Sequence, residues 1–295
     1  MNCLVTGGAG FIGSNLVDTL VDHGHKVVVI DNESSDAHDQ FYWNDDAYNY
    51  KYNICDYVMC SDVFKRHNPE VVFHIAAEAR IQPCIEDPLK AVEANVLGTA
   101  TILELSRRYK VKRVMYSSTS SAYGLINECP LKEDMPNDCL NPYSVSKVGG
   151  EELCKMYSKL YNLETVIFRY FNVYGERQPI KGQYAPVIGI FQRQRKNEEP
   201  LTIVGDGEQR RDFTHVSDVV NANILAATLH LSKFGELYNV GTGTNYSVNE
   251  IAEMIGGPKT NIPARLGEAR ITLADNSKIK KDLGWEPKIQ LKDWL

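Results

Sequence analysis

The first half of the chain alternates between short, almost continuously apolar runs and longer segments of mixed polarity. That is the pattern of strands buried on both faces with crossover helices between them. The apolar runs predict strands over residues 2–6, 26–31, 50–55, 70–76, 113–118 and 165–171. Helical spacing predicts helices over 12–21, 88–108 and 142–161, while 36–50 is polar and aromatic without a helical period and reads as an irregular excursion. Strands and helices in this order imply right-handed crossovers and a parallel, doubly wound sheet. After Gly175 the pattern breaks into glycine- and proline-punctuated pieces: a helix near 184–197, a strand over 201–204, a helix over 217–230, a strand over 237–240 and a helix over 247–255. Residues 290–295 open a helix-like pattern that stops abruptly, which leaves room for a further helix.

The first predicted strand runs into Gly7-Gly8-Ala9-Gly10-Phe11-Ile12-Gly13. Gly7 permits a tight turn, Gly10 lets backbone approach a phosphate, and Gly13 lets the new helix lie against the strand, so the helix N-terminus faces an anion. Three glycines spaced by three are common in loops. Here the helix stops at His23-Gly24, a second strand follows, and Asp31 closes it where a ribose diol would lie. The expected architecture is an α/β Rossmann fold, formed mainly by residues 1–175. A smaller, intermittent α/β substrate-binding lobe comes mainly from 176–295, with an interleaved boundary. Asp31 favours NAD over NADP, because a 2′-phosphate would meet like charge.

Tyr143 and Lys147 stand four apart just after Asn141-Pro142, a helix cap followed by proline at the first helical position, so both side chains share one helix face. A phenol is a poor base near neutrality, but an adjacent ammonium and an oxidised nicotinamide both favour the phenolate, which then accepts a proton from an alcohol losing hydride. Such a pair occurs by chance on many helices. It gains meaning from the strand that ends in Ser117-Ser118-Thr119-Ser120-Ser121, which gathers hydroxyls at the carboxyl edge of the sheet, where ligands of open α/β sheets bind. Thr119 is placed to hold the reacting hydroxyl.

The net charge of −6 gives no basic face for nucleic acid, and no apolar run approaches a membrane span. The first strand starts almost at Met1 without a basic leader, so a cytoplasmic protein is expected. Seven scattered cysteines without a CxxC pair argue against a disulfide framework or a structural zinc site.

These segments, with His74-Ile75-Ala76-Ala77, Arg169-Tyr170-Phe171-Asn172-Val173-Tyr174-Gly175, Arg211-Asp212-Phe213-Thr214-His215-Val216 and Leu273-Ala274-Asp275, make the chain resemble the extended short-chain dehydrogenase/reductase family, and within it the nucleotide-sugar 4-epimerases. The resemblance covers nearly the whole chain. It implies Thr119, Tyr143 and Lys147 as catalytic residues. It implies a cofactor site of Gly7, Gly10, Phe11, Ile12, Gly13, Asp31, Asn32, Ala76, Ala77, Ser117, Tyr143 and Lys147, with Asp56 at the adenine, Asn95 near the cofactor and Tyr170 flanking the nicotinamide. Asn172, Arg211 and Arg265 are implied at a substrate diphosphate and Glu268 at the nucleoside ribose, guanidiniums and an amide donor being suited to pyrophosphate oxygens.

Two departures refine this. Sugar-nucleotide 4,6-dehydratases of the family carry an Asp-Glu pair after the catalytic threonine, and the related uronate decarboxylases an acid near the same spot. Here Ser120-Ser121 stand there, poor acids and bases both. Thr272 occupies a position where glucose-selective epimerases carry a bulky tyrosine, leaving room for an N-acetyl group. The expectation is an NAD-dependent 4-epimerase of UDP-glucose and UDP-galactose and of their N-acetylhexosamine counterparts, UDP following the family's commonest nucleotide. Arg80 keeps a UDP-glucuronate 4-epimerase open as an alternative, beside another dehydratase or reductase of the family. A non-catalytic NAD-responsive module finds no support in a broken Thr/Tyr/Lys set or a basic docking face. The family also implies a homodimer through a four-helix bundle of the helices around 92–105 and 148–161, where Val92, Val96, Leu97, Leu103 and Leu105 give an apolar fraction that suits a helix buried on more than one side, as core packing alone would also explain.

Overall fold

The structure is a computed structural model that describes residues 1–37, 40–180, 185–264 and 269–295. In chain order its strands are β1 (Asn2–Thr6), β2 (Lys26–Asp31), β3 (Tyr48–Lys51), β4 (Val71–His74), β5 (Arg113–Thr119), β6 (Glu164–Tyr170), β7 (Val173–Tyr174), β8 (Leu201–Val204), β9 (Arg210–Asp212), β10 (Thr214–His215), β11 (Glu236–Val240), β12 (Asn245–Ser247) and β13 (Lys259–Ile262). The helices are α1 (Phe11–Asp22), α2 (Tyr57–His67), α3 (Ile81–Glu86), α4 (Pro88–Val92), α5 (Thr99–Arg108), α6 (Pro142–Tyr161), α7 (Val187–Lys196), α8 (Val216–Thr228), α9 (Val248–Ile255), α10 (Ser277–Leu283) and α11 (Leu291–Trp294).

Seven strands form one sheet in the order β11-β6-β5-β4-β1-β2-β3, every pair parallel. The chain winds outward from β1 in one direction through β2 and β3, then returns to place β4 on β1's other side. The switch point therefore lies between the carboxyl ends of β1 and β4, where open α/β sheets bind ligands. Strand alternation splits the core into two layers. Val5, Phe73, Met115 and Phe168 face α1, α8 and α10 with Leu16, Val219, Ala222 and Trp285. Leu4, Val72, Val114 and Ile167 face α2, α5 and α6 with Phe64, Ile102, Leu105 and Cys154.

The rest of the second half is built differently. Two-stranded ribbons β12–β9 and β13–β8 pack with α7 and α9 around a separate apolar cluster that includes Ile188, Phe191, Leu201, Ile203, Phe213 and Ile251. β11, from beyond residue 176, nevertheless joins the large sheet.

Several elements depart from the sequence expectations for local reasons. The predicted strand over 50–55 begins earlier and stops at Lys51, because Asn53 turns the chain: its side chain accepts from the Cys55 N–H and its carbonyl from the Asp56 N–H, at 2.9 Å each. Helix α2 has no counterpart in the sequence reading, its buried face being the short stripe Cys60, Val63 and Phe64. The helix over 88–108 is present as α4 and α5 joined by a π turn at Glu93–Gly98. All seven cysteines are free thiols. Among the described residues no helix is long and apolar enough to cross a membrane.

Candidate active site

A cleft of about 630 Å³ opens along the carboxyl ends of the strands. Gly7, Gly10, Phe11, Ile12 and Gly13 line one end with Asp31, Asn32, Ala76 and Ala77; Thr119, Tyr143 and Tyr170 line the middle; Asn172, Arg211 and Thr272 line the far side.

The cradle at the first end depends on missing side chains. Gly7 has φ +69°, and a β-carbon there would lie 2.7 Å from the Ala76 nitrogen across the switch point. A β-carbon on Gly13 would overlap the Gly7 carbonyl. Asp31 is tied to the same loop: its carboxylate accepts from the Ala9 N–H at 3.1 Å and the Glu33 N–H at 2.8 Å. Asn32 orders the next turn by accepting the Ser34 N–H. This narrow backbone channel beside a helix N-terminus, with a buried acid at the end of β2, fits NAD.

Two residues expected at the cofactor stand one layer back. Asn95 is fully buried behind the wall, where its amide brackets the Glu78 backbone at 2.9 Å in both directions and donates to Ser146 Oγ at 2.9 Å. Ser117 donates to the Tyr170 hydroxyl at 3.0 Å, and Asn223 donates to the same oxygen at 2.8 Å, so the pair fixes the Tyr170 ring that reaches the cleft. Asp56 is exposed and caps α2 through the Met59 N–H, one residue beyond the lining at Asn53 to Cys55.

Asn141 starts α6 with a capping box, its side chain accepting from the Ser144 N–H at 2.9 Å. Tyr143 follows within the first turn and meets the Thr119 hydroxyl. Lys147 is buried just beneath the wall, its ammonium 4.4 Å from the centre of the Tyr116 ring. From sequence, Lys147 is expected to draw the phenol toward its ionised form. In the folded chain burial dominates both groups, because removing water disfavours either charge. It pushes the Tyr143 phenol up to about 12, against the opposing hydrogen bond from Thr119. It also lowers Lys147 to about 8, with Glu151 pulling the other way.

On the far side, Arg211 in β9 donates to the carbonyls of Arg210 at 3.0 Å and Arg270 at 3.3 Å. Thr272 is buried, and its hydroxyl accepts from the Asp212 N–H at 3.4 Å. Asn172 is exposed just past β6, its carbonyl accepting from the Thr214 N–H. Arg265 and Glu268 lie outside the described residues. Ser120 and Ser121 enter a tight turn after Thr119, whose hydroxyl accepts the Ser121 N–H at 3.1 Å. Arg80 lines the cleft with its guanidinium paired to Asp36. The sequence reading missed Ile188, Phe191, Thr202 and Gln209, which complete the wall. The elements of Ile188, Phe191 and Thr202 were legible, whereas Gln209 stands just before β9, which the sequence pattern does not mark; which side chains face inward depends on how the ribbons pack.

The family model for GDP-mannose 4,6 dehydratases matches residues 4–295. A putative UDP-glucose 4-epimerase of Methanocaldococcus jannaschii is 40% identical over 301 residues, covering 99% of this chain and 95% of its own length. The solved UDP-glucose 4-epimerase of Thermotoga maritima with UDP-glucose matches at TM-score 0.93 and 37% identity, over 100% of this chain and 96% of that one. The chain belongs to the extended short-chain dehydrogenase/reductase family, among its nucleotide-sugar 4-epimerases. The UDP-glucuronic acid 4-epimerase of Bacillus cereus, solved with UDP-glucuronic acid and NAD, also matches, at TM-score 0.90 and 30% identity over 100% of this chain and 96% of that one. NAD is thus the cofactor this family member shares with its neighbours, and the chain is an isomerase that uses it. The matching family model is described by its dehydratases, yet the two positions after Thr119 carry hydroxyls here.

Proposed function

We propose that the chain interconverts UDP-hexoses at C4 through a transient 4-keto sugar. The observation that carries this reading is that one cleft joins the glycine cradle to Thr119 and Tyr143, and continues to Arg211 and Thr272. In the first half-reaction the Tyr143 oxygen takes the proton of the sugar's C4 hydroxyl, which Thr119 holds by hydrogen bonding. NAD, which Gly7, Gly10, Gly13 and Asp31 would hold, would supply the hydride acceptor and donor at C4, and the keto sugar turns between the two transfers. Tyr143 then gives the proton back to the C4 oxygen, so the cycle closes without net consumption of cofactor. Lys147, beneath the wall, supplies positive charge toward the Tyr143 oxygen as it becomes negative.

Asn172, Arg211, Arg265 and Glu268 are assigned to the nucleoside diphosphate, and the region beyond Gly175 to its binding. Small Thr272 supports acceptance of both hexoses and N-acetylhexosamines. The Arg80–Asp36 pair favours these neutral sugars over a uronate, since the guanidinium already has a carboxylate partner. A homodimer is part of the proposal: Leu89, Val92, Leu97, Val145 and Leu160 are 81, 47, 53, 56 and 64% exposed on α4 to α6. Cytoplasmic residence completes it. Incubation of the NAD-bound protein with UDP-, GDP-, CDP- and dTDP-hexoses, followed by sugar analysis, tests the reading. Epimers of UDP-sugars at constant mass and without net NADH are expected. Loss of one water would instead mean dehydration, and sedimentation as a monomer at micromolar concentration would remove the dimer.

A further inference from the structure

Directly behind the Thr119–Tyr143 contact lies a charged cluster that the proposed reaction does not use. The β5–β6 register sets Ser118 beside Arg169 and Thr119 beside Tyr170. Glu151 follows Lys147 by one turn of α6 and Tyr143 by two. Its carboxylate accepts from Ser118 Oγ at 2.5 Å, Arg169 Nε at 2.8 Å and Arg169 Nη2 at 2.8 Å. Glu151 and Arg169 are 0 and 1% exposed, and the guanidinium is stacked 4.4 Å from the Tyr123 ring centre. Arg169 Nη1 is buried without a hydrogen-bond partner among the described residues.

A buried ion pair is a poor source of net stability, because desolvation offsets its Coulomb attraction. What this one does is join the strand end that carries Thr119 to the helix that carries Tyr143 and Lys147. We propose that Glu151 is a positioning residue, which together with Ser118 and Arg169 locks the catalytic strand end to the catalytic helix and places a negative charge one turn from Lys147. The inference deepens the proposed epimerisation and rests on it for its turnover measurement.

The other groups around Lys147 do not duplicate that charge. From α6 it meets Cys154, with Tyr143 one turn before it on the same helix, from β5 it meets Tyr116, and from the end of β4 His74. Burial raises Tyr143, Cys154 and Tyr116 and lowers His74, so all four are neutral near pH 7. Removing the Glu151 charge therefore disfavours the Lys147 ammonium and moves its titration to lower pH.

The test compares Glu151→Gln with wild type as NAD-bound proteins, following Lys147 by ¹⁵N-lysine NMR and turnover of UDP-glucose across pH. The Lys147 midpoint and the alkaline limb of kcat should both fall by about one pH unit. At pH 8 kcat should drop about fivefold, with NAD content and KM changed less than about twofold. A folded variant whose midpoint and limb match wild type overturns the inference. If wild type turns over no UDP-sugar, the proposed function fails while the NMR midpoint still decides the role of Glu151. Should Glu151→Gln not fold, Glu151→Gln with Arg169→Gln leaves no orphaned charge and is read the same way, with a smaller downward shift expected and an unmoved midpoint overturning the inference. Ser118→Ala keeps the charge: several-fold lower kcat at an unlowered midpoint is expected, and wild-type kcat overturns the clamp.

Discussion

The two ends of the cleft are built by different means, and on the proposed function would recognise ligand differently. At the cofactor end, the surface is backbone: Gly7 and Gly13 leave no room for a β-carbon, and Asp31 holds the loop through main-chain N–H groups. At the end proposed for the sugar nucleotide, the surface is side chains on short ribbons, with Arg211 in β9 and Thr272 beside it. Backbone recognition tolerates little change and suits one ligand kept through the cycle. Side-chain recognition can be retuned residue by residue, which suits a family whose members act on different sugars.

Tyr143 sits at the seam between the ends and should show the largest effect. Tyr143→Phe removes the proposed proton acceptor and should lower kcat by about 10²–10⁴-fold. NAD content after purification should stay that of wild type, since the cradle is untouched. A variant with normal turnover would take the phenol out of the mechanism.

The cofactor end also carries an acid-sensitive buried group. His74 at the end of β4 bridges the hydroxyls of Thr6 at 2.7 Å and Thr99 at 2.9 Å, and burial lowers it to about 3. Its folded value lies below its unfolded one, so its contribution is fully present above about pH 6.5 and is lost as pH falls toward 3. That loss amounts to about 4–5 kcal/mol. Denaturant midpoints should fall over that window, and His74→Gln should flatten the fall.

Gly13→Ala sharpens the comparison from the cofactor side. Relieving the overlap with the Gly7 carbonyl must move backbone, at about 1–3 kcal/mol, so NAD should bind about 10–100-fold more weakly. Calorimetry with NAD checks it. A wild-type affinity would show that the cradle yields as easily as the ribbons do. Arg211→Ala tests the other end. Loss of charge-assisted hydrogen bonds to the diphosphate should raise KM for the sugar nucleotide about tenfold and leave NAD binding unchanged. A fall in kcat at constant KM would place Arg211 in the chemistry instead.

The same division explains what the sequence disclosed. Glycine spacing and an i,i+4 pair are local, so Gly7 to Gly13 and Tyr143 with Lys147 could be read directly, as could the β1–α1–β2 unit that frames the cradle. Partnerships formed across the fold left no local trace. Asn95 reads as a cofactor contact until its partners Glu78 and Ser146, 17 and 51 residues away, are in place. Ser118 reads as one hydroxyl of a serine-rich turn until α6 brings Glu151 onto it. Of the short ribbons only β8 was readable as a strand; β9, β12 and β13 are three or four residues long and form through partners distant in sequence, and their facing depends on packing against α7 and α9.

The smallest effect should come from Thr272, where retuning of the sugar end can be seen in isolation. Its side chain is buried against the cleft and accepts the Asp212 N–H, so tyrosine there loses one weak bond and projects a ring toward the sugar. Overpacking of about 1 kcal/mol against an N-acetyl group corresponds to roughly fivefold in kcat/KM. A hydroxyl at C2 needs less space and should escape most of that penalty. Thr272→Tyr should therefore lower kcat/KM for UDP-N-acetylglucosamine several-fold more than for UDP-glucose, measured side by side on one preparation. Equal losses on both sugars would mean that the ring disturbs the β9 ribbon and its Arg211 rather than the space at C2, and that even the side-chain end of the cleft answers to backbone.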